Sequence, residues 1–227
     1  MPIVHMTSYK QYIHCIGIIY NKRWAFYKMR KDYNVWELAK RDINNEASTF
    51  ILNTIRNDRK VNGKRQILYA CIGTPRINGD SFGPMVGNIL EEHLQNIVGC
   101  DSEVLGTVKN PVHAKNLEDY RDKLMSGEYF VVGIDAGITN ESHSFLTLKD
   151  GCFEPGIGIN NHNKEKPIKI GDISCIYNIS VPDRKCLFDA LQSVKLTDLE
   201  EKAVFITQAI INAELELVKE DKEGEQI

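Results

Sequence analysis

The sequence predicts an α/β protein with a mainly parallel sheet, and two stretches carry that prediction. Ile67, Leu68, Ala70, Cys71 and Ile72 form a nearly continuous apolar run ending at Gly73, the pattern of a strand buried on both faces of a parallel sheet. Tyr129-Phe130-Val131-Val132-Gly133-Ile134 repeats the pattern and ends at Asp135, followed by Ala136 and Gly137. After the first run, Val86, Ile89, Leu90, Leu94 and Ile97 recur at helical spacing behind Pro84. Proline suits a first helical turn, which has no N–H bond to lose. Strand, tight loop and helix in this order are the unit from which such sheets are assembled.

The 227 residues suffice for one α/β domain with a substantial core and some additional segment, and not for two full domains. With 26% charged residues and a net charge of −3, the composition is that of an ordinary globular chain and gives no general reason to expect nucleic acid. Charge is nevertheless uneven. Through Arg65 there are 13 Lys and Arg against 5 Asp and Glu, and beyond it 15 against 26. The apolar run 12–20 is too short to span a bilayer and no small-residue cleavage site follows it, so neither export nor membrane insertion is expected. Cys15, Cys71, Cys100, Cys152, Cys175 and Cys186 contain no C-x-x-C pair and no histidine at metal-ligand spacing. Reduced, buried cysteines in a cytoplasmic protein are the expectation.

In order along the chain, residues 1–44 read as a basic extension, partly helical or loosely ordered, in which Lys22, Arg23, Lys28, Arg30 and Lys31 alternate with Trp24, Phe26 and Tyr27. Basic residues among aromatics can grip single-stranded nucleic acid or a membrane surface, but no glycine framework or repeated module supports that here. A helix is predicted over 34–58, with Ala47, Phe50, Ile51 and Ile55 on its buried face. Asn62-Gly63 turns the chain into the central strand. Residues 103–108 read as a second short strand, broken by Asn110-Pro111. Leu117, Tyr120, Leu124 and Met125 predict a helix over 113–126, stopped by Gly127. Residues 144–148 suggest an edge strand before the turn Asp150-Gly151, and 173–179 another strand. Residues 153–172 are a long polar loop of the kind that is usually functional. A long amphipathic helix follows over 198–218, burying Ala203, Ile206, Ile210, Ala213 and Leu217. The α/β domain thus spans 45–218, and 219–227 is a charged tail.

Chemistry concentrates in the loop after the first strand, at the carboxyl end where open α/β sheets bind ligands. Asp80 stands there between Gly79 and Ser81. Pro75 breaks the dinucleotide glycine pattern and the phosphate-loop ending is missing, while an acidic side chain would repel a phosphate. Two readings stay open: Asp80 or Ser81 caps the following helix, or Asp80 serves a site. Asp135, at the end of the second strand, would share one sheet edge with Asp80 if the two strands are parallel neighbours. His113 in Pro111-Val112-His113-Ala114-Lys115-Asn116 could face the same edge, although a lone histidine there also suits a structural hydrogen bond.

Cys71-Ile72-Gly73-Thr74 continuing to Gly79-Asp80-Ser81-Phe82-Gly83-Pro84, then Pro111-Val112-His113-Ala114-Lys115-Asn116, Ile134-Asp135-Ala136, Pro155-Gly156-Ile157-Gly158 and Gly171-Asp172-Ile173, form an ordered set over roughly residues 45–212. This set resembles the YyaC-type sporulation proteins, a family related to the germination protease of spores and more distantly to hydrogenase-maturation endopeptidases. The resemblance implies a three-layer α/β/α sandwich and an endopeptidase activity in which Asp80 and Asp135 are the catalytic aspartates. Thr74, Ser81, His113 and Asn116 would be supporting or substrate-binding residues. It implies no cofactor on the aspartic reading. On the maturation-type reading a divalent metal ion would be held by Asp80, Asp135 and His113, or completed by His162. A third reading is a non-catalytic sporulation binding protein. The implied partners are a protein or peptide substrate, such as a small acid-soluble spore protein, and further copies of the chain; the implied location is the cytoplasm of the sporulating cell or the spore core. Pro75 departs from the pattern, standing where that family suggests an aspartate.

Like-charge repulsion within a paired carboxylate site would raise one pKa and leave one acid and one base near neutral pH.

Overall fold

The computed structural model describes residues 17–20, 23–26, 33–155, 168–181 and 187–224. The prediction of a basic, aromatic-interleaved front falls mostly outside them, as do Gly156 to Gly158 of the Pro-Gly-Ile-Gly motif, His162, Cys15 and Cys186. A seven-stranded sheet has the order β2-β1-β6-β7-β5-β3-β4. Its strands are β1 (Gly17–Tyr20), β2 (Arg23–Phe26), β3 (Gln66–Cys71), β4 (Glu103–Leu105), β5 (Tyr129–Thr139), β6 (Phe145–Asp150) and β7 (Ile173–Ser180). The central strands β4, β3, β5 and β7 are mutually parallel, whereas β6 runs antiparallel to β7.

Every position from Ile67 to Ile72, through β3 and one residue past it, is buried in an apolar core. Ile67, Tyr69 and Cys71 face one core, and Leu68, Ala70 and Ile72 face the other, which is why its sequence is a run and not an alternation. The first core is covered by three helices: α1 (Tyr33–Asn62), α2 (Phe82–Leu94) and α5 (Leu196–Gly224). Ala47, Phe50, Ile51 and Ile55 of α1 and Ala203, Ile206, Ile210, Ala213 and Leu217 of α5 are all buried in it, as the spacing predicts. Full burial of each larger aliphatic side chain contributes about 1.5–3 kcal/mol. The opposite face carries a thinner layer: a 3₁₀ turn (Leu117–Tyr120), the short helix α3 (Arg121–Met125), and Ile168 and Ile170. The architecture is therefore a three-layer α/β/α sandwich with unequal outer layers. A further short helix, α4 (Leu187–Gln192), precedes α5.

Four local expectations are corrected. The helix predicted over 113–126 is only the 3₁₀ turn and α3, because Asn116 Oδ1 accepts the His113 N–H (2.8 Å) and its amide donates to Pro111 O (3.0 Å), a side-chain turn that competes with helix. The strand ending in Asp135 instead continues to Thr139, since Asp135 to Thr139 pair with Ile176 to Ser180 of β7. The charged tail is not separate as far as Gly224. It prolongs α5, where Glu220 pairs with Arg56, and Asp221 with Arg59 (2.8 Å) and Lys64 (3.0 Å). Helix α1 likewise runs through the boundary placed between residues 44 and 45. Cys71 and Cys175 are free and buried, with both thiols pushed up by burial, while Cys100 is half-buried and Cys152 is exposed. Among the described residues no helix is long and apolar enough to cross a membrane.

Candidate active site

Strands β3 and β5 are parallel neighbours, with Cys71 opposite Ile134 and the Ile72 N–H bonded to Ile134 O at 2.7 Å. The chain leaves β3 toward β4 on one side, while the sheet continues from β5 toward β7 on the other. Their carboxyl ends therefore flank a topological switch point, the crevice where open sheets hold ligands. Asp135 emerges there from β5, and the loop carrying Asp80 folds over the end of β3.

The Asp80 loop is closed on itself. The Thr74 N–H donates to both Asp80 O (3.0 Å) and Asp80 Oδ2 (2.9 Å), and the Asp80 N–H donates to Ile77 O (2.9 Å). Gly73 permits this closure: its φ is +138°, and a Cβ there would lie 2.1 Å from Asp80 O. Gly83, in the first turn of α2, allows an equally close approach, since a Cβ on it would stand 2.1 Å from Ile72 O. Asp80 sits in a short 3₁₀ turn (Asn78–Ser81) just before α2. Neither Asp80 nor Ser81 caps that helix. The Ser81 hydroxyl instead donates to Asn78 O (2.5 Å), and Ser81 occupies the cap position without a side-chain bond.

Asp135 is 6% exposed, and its Oδ1 accepts the Ala136 N–H at 2.7 Å. Burial first, and then the charge of Asp80, push its carboxyl well above the ordinary range. The Asp80 carboxyl is pushed up to about 6 by burial, against the Thr74 N–H and nearby His113, which hold it down. The two acids are therefore close enough to feel one another. Desolvation is nevertheless the larger cause of both shifts, where repulsion was the expected one.

The Pro111–Asn116 segment joins this edge through a parallel bridge between Ile72 and Val112 and the Gly73 N–H to Val112 O bond (2.8 Å). That places half-buried His113 within electrostatic reach of Asp80, while its Nδ1 accepts the Lys115 N–H at 3.3 Å. Asn116 is spent on holding this turn. Thr74 contributes its backbone N–H to Asp80, and its hydroxyl accepts the Arg76 N–H at 3.4 Å. Among the described residues, no group of three or more His, Cys, Asp and Glu side chains is arranged to hold a metal ion. Asp80, Asp135 and His113 thus do not make a ligand set as they stand, and His162 lies outside the described residues.

Fold and site together define an α/β sheet protein with one buried and one half-buried aspartate at its switch point. The chain belongs to the family described as Protein of unknown function (DUF1256), whose profile matches residues 37–209. It is 35% identical over 127 residues to the Bacillus subtilis (strain 168) protein described as Uncharacterized protein YyaC, a match spanning 54% of this chain and 58% of that one. The YyaC-type resemblance carried by the ordered motifs is borne out. Among solved structures, the NiFe-hydrogenase maturation protease HycI from Thermococcus kodakarensis KOD1 is similar, with 20% identity and a TM-score of 0.42, over 68% of this chain and 95% of that one.

Proposed function

We propose that this protein is an endopeptidase in which Asp80 and Asp135 activate water. The observation that carries the reading is the placement of two aspartates at the switch point between adjacent parallel strands, Asp80 in the turn that follows β3 and Asp135 within β5, with both carboxyls raised by burial. Burial raises both carboxyls and the charge of Asp80 adds to the rise at Asp135, which favours a shared proton and so a base and an acid in one crevice. Thr74 occupies Asp80 Oδ2 and Ala136 occupies Asp135 Oδ1, so the second oxygen of each carboxyl is the one directed to chemistry. Asp80 takes a proton from water as the water oxygen bonds to the scissile carbonyl carbon. The Asp135 hydroxyl donates to the oxygen that becomes negative. Asp80 then passes its proton to the departing amine as the C–N bond breaks, which restores the pair.

The motif resemblance to the germination protease supports a protein or peptide substrate and a sporulation setting in the cytoplasm or spore core. The maturation-type alternative, with a divalent ion on Asp80, Asp135 and His113, has less support because the donors are not gathered. Hydrolysis of a fluorogenic casein digest by the wild type, Asp80→Asn and Asp135→Asn variants, with and without EDTA, tests the reading. Activity lost in both variants and retained in EDTA is expected. Activity surviving either substitution would remove the aspartic assignment, and loss in EDTA with recovery on adding zinc would favour the metal.

A further inference from the structure

Two residues before Asp80, Asn78 ties the acid's turn to a helix far along the chain. Its side-chain amide donates to Gln192 O (2.9 Å) and Val194 O (3.2 Å), and its backbone N–H donates to Gln192 Oε1 (3.0 Å). Gly79 completes the contact: a Cβ on it would lie 2.7 Å from Leu191 Cδ2 and 3.2 Å from Leu191 O. The turn and α4 are thus in direct contact, with Ile179 of β7 beneath at 3.1 Å from the same point. Helix α4 has no fully buried residue, and Phe188 on it is 61% exposed. Leu187, Ala190 and Leu191 pack part-buried against the core, and the three Asn78 hydrogen bonds, two to Gln192 and one to Val194 just beyond α4, are the polar attachment of this segment to the Asp80 turn.

We propose that Asn78 is a positioning residue that, with Gln192, locks α4 against the 3₁₀ turn and so fixes where the Asp80 carboxyl stands. Asn78 O also accepts from Ser81 Oγ, so one residue organises both sides of Asp80. The other fixed point is the Thr74 N–H on Asp80 Oδ2. Thr74 holds the carboxyl itself, and Asn78 holds the backbone turn that carries it; with the turn released, the Thr74 bond alone has to keep the carboxyl in place. The inference rests on the peptidase reading for its catalytic consequence and not for its geometry.

Asn78→Ala removes the amide bonds, and Gln192→Leu removes the acceptor of the Asn78 N–H. Both carbonyls left behind lie on half-exposed or exposed residues, where water can replace the donor. Two readouts separate the claims. In ¹H–¹⁵N spectra the Thr74 amide should move in both variants in the direction that Asp80→Ala moves it, while the Val132 amide in the centre of β5 stays in place. In casein-digest hydrolysis kcat should fall about tenfold in both variants with KM within about twofold. Gln192→Glu, which keeps the acceptor, should restore the Thr74 position. An unmoved Thr74 amide in Asn78→Ala would overturn the inference whatever the activity. Full hydrolysis by Asp80→Asn would instead overturn the peptidase reading and leave the positioning result standing.

Discussion

Asp80→Asn should make the protein more stable above pH 6 while destroying its activity. The carboxyl moves from its ordinary 3.8 to about 6 on folding, chiefly through burial. A folded-state pKa above the unfolded one contributes stability that is complete below pH 3.8 and is lost as pH rises through 6. At 1.36 kcal/mol per pH unit, the displacement corresponds to about 3 kcal/mol, and water reaching the half-buried group reduces it to about 1.5–3 kcal/mol. Asparagine keeps an oxygen for the Thr74 N–H and carries no charge to desolvate. Urea unfolding at pH 4 and pH 7.5 reads the effect. Wild type and variant should unfold at similar midpoints at pH 4, with the variant ahead by that amount at pH 7.5. A variant no more stable at pH 7.5, or an advantage independent of pH, would refute the claim that Asp80 is ionised at an energetic cost in this crevice.

Asp135→Asn should leave stability at pH 7.5 within about 1 kcal/mol, because burial already favours the neutral form of this carboxyl and asparagine is a neutral group of equal size, while kcat falls by about 10²-fold or more in steady-state assays. Gly73→Ala should cost roughly 3 kcal/mol or more and abolish hydrolysis, since it sets a Cβ 2.1 Å from Asp80 O at a φ of +138°; thermal unfolding reads it. Away from the site, Glu214 is 2% exposed and accepts from Tyr69 Oη (2.7 Å) and Ser102 Oγ (2.5 Å). Glu214→Ala should therefore cost about 2–3 kcal/mol by orphaning a buried phenol, and Glu214→Gln about 1 kcal/mol or less. Burial raises the Glu214 pKa, so the wild type should lose stability relative to Glu214→Gln as pH rises through it.

The strands that position the site were legible because burial on both faces forces an apolar residue at nearly every position of 67–72 and 130–134. The helix faces were legible for the same reason at a different period. Segments decided by partners distant in sequence were not. The stretch Asp135-Ala136-Gly137 reads as a small-residue loop after a strand, and its pairing with Ile176, Tyr177 and Asn178 of β7 makes it strand. The charges after Val218 read as solvated until Arg56 and Arg59 of α1, and Lys64 just after it, are brought against them. Asp80 and Asp135 could be singled out from residue type and place, but Asn78 could not. It looks like any loop asparagine, and its partner Gln192 lies 114 residues away.

Asp80 and Asp135 share one crevice, and burial raises both carboxyls above the ordinary range. Carboxyl ¹³C resonances of Asp80 and Asp135, assigned through the Asn variants and followed from pH 3 to 10, measure this directly. Asp80 should titrate near 6 and Asp135 well above the ordinary carboxylate range, with the Asp135 step moving down when Asp80 is replaced. Two independent titrations close to 4, each unaffected by removal of the other acid, would contradict it.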